Sequence, residues 1–228
     1  MTHRLAALIS GNGSNLQAII DAIADGSLNA QLALVLSNRQ DAGGLRRASE
    51  AGIPTAVIDH RNFQNRQSFE TAMIKCIDSH APDTVALAGF MRILSPLFVG
   101  HYSGRLLNIH PSLLPLYPGL NTHARALAAG NTEHGCSIHF VTDELDGGPV
   151  IAQARVPILA NDNQESLSKR VLKSEHRLYP MVLGWRASNR LRLTDQGAEL
   201  DGQLLPAQGV QVDGNHSGPD TAGQHQHG

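Results

Sequence analysis

The stretch Leu5-Ala-Ala-Leu-Ile-Ser-Gly-Asn-Gly-Ser-Asn15 decides the fold of this 228-residue chain. Its five leading apolar residues predict a strand that is buried on both faces, and the glycines that follow predict a tight turn. Residues 14–25 then place apolar side chains at helical spacing, which predicts a helix packed by one face. A strand, a glycine-rich turn and a helix in this order are typical of a parallel sheet that binds ligands beyond the carboxyl ends of its strands.

The same alternation of apolar strands and amphipathic helices continues outward from this stretch. Further strands are predicted at residues 32–36, 55–58, 84–88 and 105–109, with helices between them. After residue 130, two strands joined by a turn predict an antiparallel extension, and residues 164–185 predict a long helix. The predicted fold is therefore α/β and Rossmann-like, a mostly parallel sheet with helices on both faces and a C-terminal antiparallel extension.

Composition limits the classes of function. Two cysteines, Cys76 and Cys136, are too few for a disulfide framework, which favours a reduced, cytoplasmic setting. No apolar run reaches membrane-spanning length, and we expect no membrane association. Residues 194–228 carry five acidic and no basic residues, whereas the remaining body has 18 basic against 15 acidic residues. Such a weakly positive body suits an anionic small substrate and does not indicate nucleic acid as a partner.

The chain is expected to divide into one domain and a tail. Residues 1–206 are predicted to form the domain, since the periodic apolar pattern extends through them. Residues 207–228 are rich in Gly, Gln, His and Asp and poor in large apolar side chains, so we predict a disordered polar tail.

The turn after the first strand, Ser10-Gly-Asn-Gly-Ser-Asn15, has two interpretations. Glycines let the backbone approach a ligand, and the amides that begin a helix attract anions, so Gly13, Ser14 and Asn15 could form a phosphate-binding loop. The turn could equally be a simple connection capped by Ser14 or Asn12. It lacks the third glycine of the dinucleotide fingerprint and the lysine of a Walker loop.

A second motif, Gly89-Phe-Met-Arg-Ile-Leu94, directly follows the fourth predicted strand. Apolar side chains at a strand end could form the wall of a pocket for a flat heteroaromatic ring. Ordinary packing at the end of a strand explains the same residues, and the sequence alone favours that interpretation.

Two polar residues, Asn108 and His110, lie on the fifth predicted strand, two positions apart and therefore on one side. Polar side chains on a buried strand are costly unless they are paired or used in chemistry. A histidine exchanges protons near neutral pH, and an asparagine amide can donate to a developing oxyanion. A lone core histidine is usually structural, but this pair favours a catalytic role.

Asp146 lies in the turn Asp143-Glu-Leu-Asp-Gly-Gly-Pro149, so it can reach His110 only through tertiary structure. A carboxylate beside an imidazole favours its protonated form, and we expect Asp146 to keep His110 charged. Asp-Gly is also a hairpin signal, and a turn is compatible with a catalytic carboxylate.

Metal and nucleophile chemistry are both disfavoured. Histidines are numerous, but none forms a helical His-x-x-x-His pair or a zinc spacing, so we predict no metal site. No Gly-x-Ser-x-Gly elbow is present, which disfavours a nucleophilic serine.

The three motifs and the Asp146 turn occur in order, and together they resemble the family of phosphoribosylglycinamide formyltransferases over about residues 4–206. The resemblance implies transfer of a formyl group from the co-substrate 10-formyltetrahydrofolate to the amine of 5-phosphoribosylglycinamide in purine biosynthesis. It implies a monomer or homodimer that needs no metal.

The resemblance also implies roles for individual residues. Asn108, His110 and Asp146 would be the catalytic trio, and Gly13, Ser14, Asn15 and Glu175 would bind the phosphate and ribose end of the acceptor. Arg66 would lie near the folate tail. The residues implied to line the folate pocket are Met91, Arg92, Ile93, Leu94, Asn108, Val141, Thr142, Asp143, Glu144, Leu145 and Asp146.

Two positions depart from the family pattern. Leu116 stands where family members often carry lysine, and Asn121 stands where histidine is common. Both adjoin the predicted site, so we expect them to influence substrate affinity or rate.

Other functions remain as alternatives at this stage. Methionyl-tRNA formyltransferase shares the Asn-x-His and Asp core, but the acidic end of this chain disfavours RNA. A formyltetrahydrofolate hydrolase would use the same trio on water, although the phosphate-type loop favours a phosphorylated acceptor. A non-catalytic folate- or nucleotide-binding module would not require a protonatable histidine beside a carboxylate.

Overall fold

The protein was analysed as a computed structural model, which describes residues 2–213. These residues form an eight-stranded sheet, a three-stranded sheet and six α-helices. In chain order the elements are β1 (His3–Ile9), α1 (Ser14–Ala24), β2 (Ala30–Ser37), α2 (Gly43–Glu50), β3 (Thr55–Val57), α3 (Arg66–Asp78), β4 (Thr84–Leu87), α4 (Pro96–His101), β5 (Leu106–His110), α5 (Thr122–Ala128), β6 (Glu133–Phe140), β7 (Val150–Pro157), α6 (Gln164–Ala187), β8 (Leu191–Thr194), β9 (Gly197–Leu200), β10 (Gln203–Leu204) and β11 (Val210–Asp213).

The large sheet has the strand order β11-β7-β6-β5-β4-β1-β2-β3. Strands β1 to β5 are parallel to one another, β6 is antiparallel to both of its neighbours, and β11 is parallel to β7. The reversed strand β6 forms the antiparallel extension that the sequence predicts. The predicted α/β fold class is confirmed.

Strand β1 shows why the sheet needs helices on both faces. Leu5, Ala7 and Ile9 belong to the apolar core beneath α1 and α6, whereas Ala6 and Leu8 belong to the core beneath α3 and α4. All five side chains are fully buried. Alternate residues of a strand point to opposite faces, so a strand apolar throughout requires two apolar layers.

The structure corrects one predicted boundary. The polar tail was expected to begin at residue 207, but β11 pairs with β7 through the register from Val210 with Ala152 to Asp213 with Arg155. Val210 and Val212 pack against the core beneath α6, which explains why this short polar stretch is ordered as an edge strand. The rest of the predicted tail, residues 214–228, lies outside the described residues.

The small sheet formed by β8, β9 and β10 was not predicted. Leu193 and Leu200 turn toward the core that α6 covers, so this sheet closes that end of the molecule. No helix within residues 2–213 is long and apolar enough to span a lipid bilayer.

Candidate active site

The predicted trio converges at the carboxyl end of β5. Asn108 and His110 lie on the same side of this strand, and Asp146 reaches them from the turn between β6 and β7. His110 Nδ1 is 3.4 Å from Asp146 Oδ2, and Asn108 Nδ2 is 3.5 Å from Asp146 Oδ1. The structure therefore brings together three side chains that the sequence separates by up to 38 positions.

The backbone of the Asp146 turn holds its carboxylate in place. Asp146 adopts a left-handed conformation with φ of 51°, which aspartate tolerates better than most residues. Its Oδ2 accepts a hydrogen bond from the backbone N–H of Gly119 at 2.8 Å. The carboxylate is thus fixed from the loop that follows His110 as well as from its own turn.

The surroundings of His110 influence the pKa of its ring in opposite directions. Burial lowers the pKa of His110 below its ordinary value, and this outweighs the opposing effects of the Tyr117 carbonyl and the Asp146 carboxylate. His110 Nε2 donates to the carbonyl of Tyr117 at 2.9 Å, so the ring proton resides on that nitrogen. Burial of the ring and the Asp146 carboxylate therefore act on the pKa of His110 in opposite directions, and burial has the larger effect.

The carboxylate itself is ionised. Burial alone would raise the pKa of Asp146, but the neighbouring imidazoles of His139 and His110 and the hydrogen bond from the Gly119 N–H lower it below the usual value. Neutral imidazole beside carboxylate is a pair that can take up and release one proton.

His139 is a member of this cluster that the site prediction missed. Its Nδ1 donates to the carbonyl of Phe140 at 2.9 Å, which leaves Nε2 to accept from Asn108 Nδ2 at 3.1 Å. His139 Nε2 is also 3.7 Å from Asp146 Oδ1. The amide of Asn108 is therefore oriented by a histidine on β6, and its second hydrogen points toward the long contact with Asp146. Only the β5–β6 register, which pairs Asn108 with His139, could have revealed this partner.

The glycine-rich turn forms a loop whose amides lack an internal cap. Gly13 is the N-cap of α1 in a left-handed conformation with φ of 75°, and no side chain caps the helix start. The first turn of α1 contains no acidic residue. Because neither Ser14 nor Asn12 caps the helix, its positive end is available to an anion.

Asn15 and Glu175 are in direct contact. Asn15 Nδ2 donates to Glu175 Oε2 at 2.7 Å, and both side chains are buried. Burial raises the pKa of Glu175, although the hydrogen bond from Asn15 opposes this. Asn15 Oδ1 is buried and finds no hydrogen-bond partner among residues 2–213. An unsatisfied acceptor beside the loop suits a ligand that carries hydroxyl groups.

The segment after β4 exposes apolar side chains beside the trio. Met91 is 71% exposed and Ile93 is 65% exposed, which is unusual for side chains of this type. Leu145, in the Asp146 turn, is 51% exposed. Ordinary packing, which the sequence alone favours, does not explain Met91 and Ile93. The other residues predicted to line the folate pocket are partly or fully exposed, namely Arg92, Leu94, Val141, Thr142, Asp143 and Glu144.

Arg66, at the start of α3, is joined to this segment. Its Nη2 donates to the carbonyl of Ile93, and its Nε donates to Glu70 at 3.0 Å. Glu70 is almost fully buried and also accepts from the backbone N–H and the hydroxyl of Ser95. The sequence did not single out Glu70 or Ser95, because their pairing depends on how α3 packs beside the segment.

Ser10 links the two predicted binding regions. Its hydroxyl accepts from the N–H of Met91 at 2.8 Å and donates to Asn38 Oδ1 at 2.6 Å. The loop after β1 and the segment after β4 are therefore held at a fixed separation.

The two departures from the family pattern lie in the loop between β5 and α5. Asn121 precedes α5 in a left-handed conformation with φ of 58°, which asparagine tolerates well. The Leu116 side chain is half-exposed, and its carbonyl accepts from the hydroxyl of Ser112 at 2.6 Å. Within residues 2–213, neither side chain forms a hydrogen bond with the trio.

Within residues 2–213, no group of three or more His, Cys, Asp or Glu residues is arranged to hold a metal ion. A doubly covered Rossmann-like sheet carries an uncapped helix start, an exposed apolar segment and a histidine–carboxylate pair at one edge. These features are typical of an α/β enzyme that binds its substrates beyond the carboxyl ends of its strands.

Comparison with known proteins identifies the family. Residues 3–183 match the family model described as "Formyl transferase". The chain is 56% identical over 209 residues to phosphoribosylglycinamide formyltransferase of Escherichia coli strain K12, covering 92% of this chain and 99% of that protein. The chain therefore belongs to the formyl transferase family and is a formyltransferase.

Other relatives agree with this assignment. The human trifunctional purine biosynthetic protein adenosine-3 is 45% identical over 194 residues, which cover 85% of this chain and 19% of that protein. The solved structure of phosphoribosylglycinamide formyltransferase from Coxiella burnetii, in complex with CHES, has a TM-score of 0.90 and 53% identity, covering 92% of this chain and 99% of that one.

Proposed function

We propose that this protein transfers the formyl group of 10-formyltetrahydrofolate to the amine of 5-phosphoribosylglycinamide in purine biosynthesis. The observation that carries the proposal is the cluster of Asn108, His110 and Asp146 within 3.5 Å contacts, next to an uncapped helix start and an exposed apolar segment. The relatives that cover nearly the same length bear the name of this activity.

The two binding regions suit the two substrates. The loop of Gly13, Ser14 and Asn15 offers backbone amides to a phosphate, and Glu175 beside Asn15 offers a buried acceptor to ribose hydroxyls. Met91 and Ile93 offer an apolar surface to a flat pterin ring.

In the proposed reaction, the substrate amine attacks the formyl carbon and forms a new carbon–nitrogen bond. The carbonyl oxygen becomes an oxyanion, to which the Asn108 amide donates the hydrogen that otherwise makes the long 3.5 Å contact with Asp146. Neutral His110 takes up the proton that the amine loses, directly or through one water, and Asp146 stabilises the resulting imidazolium. The charged ring then adds to the stabilisation of the oxyanion.

Collapse of the intermediate completes the transfer. The bond between the formyl carbon and the folate nitrogen breaks, and His110 returns its proton to that nitrogen. No step forms a covalent bond between substrate and enzyme. The protein therefore acts by positioning the substrates and stabilising charge.

The trio is tested by three substitutions with a matched control. Asn108→Ala, His110→Ala and Asp146→Asn are each expected to lower turnover by ~10²–10³-fold, the usual loss for one oxyanion or proton-transfer group. The control is His101→Ala, because His101 is also paired with an aspartate but on the exposed surface of α4. Folded variants of the trio that turn over as fast as the control would refute the assignment.

The acceptor is tested separately. The protein is incubated with formyl-folate alone, with phosphoribosylglycinamide, or with methionyl-tRNA, and folate product absorbance is followed. Turnover with phosphoribosylglycinamide alone supports the proposal, whereas release of formate without an acceptor would identify a hydrolase.

A further inference from the structure

We propose that Arg47 of α2 is a positioning residue that shapes the phosphate loop, Ser10–Asn15, for the phosphorylated acceptor. The proposal rests on the function proposed above, in which this loop binds the acceptor phosphate. Arg47 was not among the residues that the sequence or the family resemblance indicated.

The guanidinium of Arg47 bridges the phosphate loop and α1 with three different nitrogens. Nε donates to the backbone carbonyl of Asn12 at 2.9 Å, Nη2 donates to Asn12 Oδ1 at 3.0 Å, and Nη1 donates to Gln17 Oε1 at 3.2 Å. Only the planar fork of arginine can satisfy acceptors in such an arrangement. Within residues 2–213 no carboxylate forms an ion pair with Arg47, so its charge is not neutralised by a neighbouring acid.

The backbone of α2 packs directly against the same loop. The N–H of Gly44 donates to the carbonyl of Gly11 at 3.1 Å. A Cβ at Gly13 would lie 2.5 Å from the Cα of Gly44, so the two backbones are in direct contact. Residues 44 and 47 are one helical turn apart and share a face of α2. The backbone contact of Gly44 and the side-chain contacts of Arg47 therefore reach the loop from the same face of one helix.

The bond to the Asn12 carbonyl has a directional consequence. In a planar trans peptide, the carbonyl and the following N–H point in opposite directions. Because Arg47 holds the carbonyl of Asn12, the N–H of Gly13 must point away from Arg47. No residue in the range 2–213 accepts a hydrogen bond from that N–H, which is therefore available to a ligand together with the first amides of α1.

Arg47 thus acts through the loop. Three of its five N–H groups are engaged by Asn12 and Gln17, so the guanidinium holds the loop whose amides face the phosphate. Its positive charge adds to that of the helix start, which strengthens the attraction for a dianion.

The test separates the binding of the acceptor from the chemical step. Arg47→Gln is expected to raise the KM for phosphoribosylglycinamide by about tenfold, the equivalent of one charge-assisted hydrogen bond. It should leave the KM for formyl-folate and kcat nearly unchanged. Arg47→Lys retains the charge and the aliphatic stem but cannot bridge Asn12 and Gln17, so it should show an intermediate increase.

The control is Arg46→Gln, on the same helix, whose side chain is exposed and contacts only Glu50. A second readout is the acceptor without its phosphate, glycinamide riboside, on which wild type and Arg47→Gln should act with equal kcat/KM. An unchanged KM for the phosphorylated acceptor, or an equal effect on both acceptors, would overturn the role of Arg47. If Arg47→Gln does not fold, Arg47→Lys decides by the same criteria. A wild-type protein without turnover on phosphoribosylglycinamide would instead overturn the proposed function.

Discussion

The close contact between Gly13 and α2 yields a quantitative prediction. Alanine at position 13 must adopt a left-handed φ of 75°, which costs about 1–2 kcal/mol for a residue with a Cβ. The added Cβ would also lie 2.5 Å from the Cα and 3.3 Å from the N of Gly44. Both are backbone atoms, so no side chain can rotate away, and overpacking of this kind costs about 1–3 kcal/mol more.

Gly52 provides the matched control. It has a similar φ of 69°, but no atom lies within 4 Å of the position that a Cβ would occupy. Gly52→Ala therefore carries only the conformational cost. The entropy that alanine removes from the unfolded chain is the same at both positions and cancels in the comparison.

The assay is urea unfolding of the two variants and wild type. We expect Gly13→Ala to lower the free energy of unfolding by about 2–5 kcal/mol and Gly52→Ala by about 1–2 kcal/mol. If the folded Gly13→Ala protein relieves the contact by moving its loop, the KM for the phosphorylated acceptor must rise. Equal losses of stability, with an unchanged KM, would refute the close contact between the loop and α2.

Four further predictions concern the reaction centre and the residues that support it. Because burial lowers the pKa of His110 and the neutral ring is the active base, kcat/KM should rise with pH through an acidic limb below the ordinary histidine value of about 6.5; a limb at or above that value would contradict it. The same depressed pKa means that protonation opposes folding, so the contribution of His110 to stability falls as pH drops below about 6.5, which unfolding at several pH values measures. Glu70→Ala removes the buried acceptor of Arg66 and Ser95, and we expect a loss of about 2–3 kcal/mol in urea unfolding and a higher KM for formyl-folate alone. His139→Ala frees the Asn108 amide, which should lower kcat about tenfold without a comparable change in either KM.

The central strands and the site at their ends followed from the sequence because local patterns encode them. Residues 5–9 are apolar without interruption, and Asn108 and His110 obey the two-residue period of a strand. The convergence of Asp146 on this pair is tertiary, and the family resemblance rather than spacing implied it.

What the sequence could not provide depends on packing. The partnership of His139 with Asn108 is set by the register of β6 on β5, and the lowered pKa of His110 is set by burial of its ring. Strand β11 escaped prediction because only Val210 and Val212 mark its apolar face within a polar stretch. Arg47 and Glu70 are charged residues of a kind usually found on protein surfaces, so the sequence did not mark them. The packing of α2 gives Arg47 its hydrogen-bond acceptors, and the packing of α3 gives Glu70 its donors.

The single reversed strand β6 divides the reaction centre along the chain. Asn108 and His110 lie before it on β5, whereas His139 and Asp146 lie on β6 and in the turn that follows. A growing polypeptide that has been synthesised to residue 130 already contains the phosphate loop and two members of the trio, but it lacks Asp146, the carboxylate that pairs with His110. In the proposed mechanism, the reaction centre is therefore assembled only after β6 has paired antiparallel with β5.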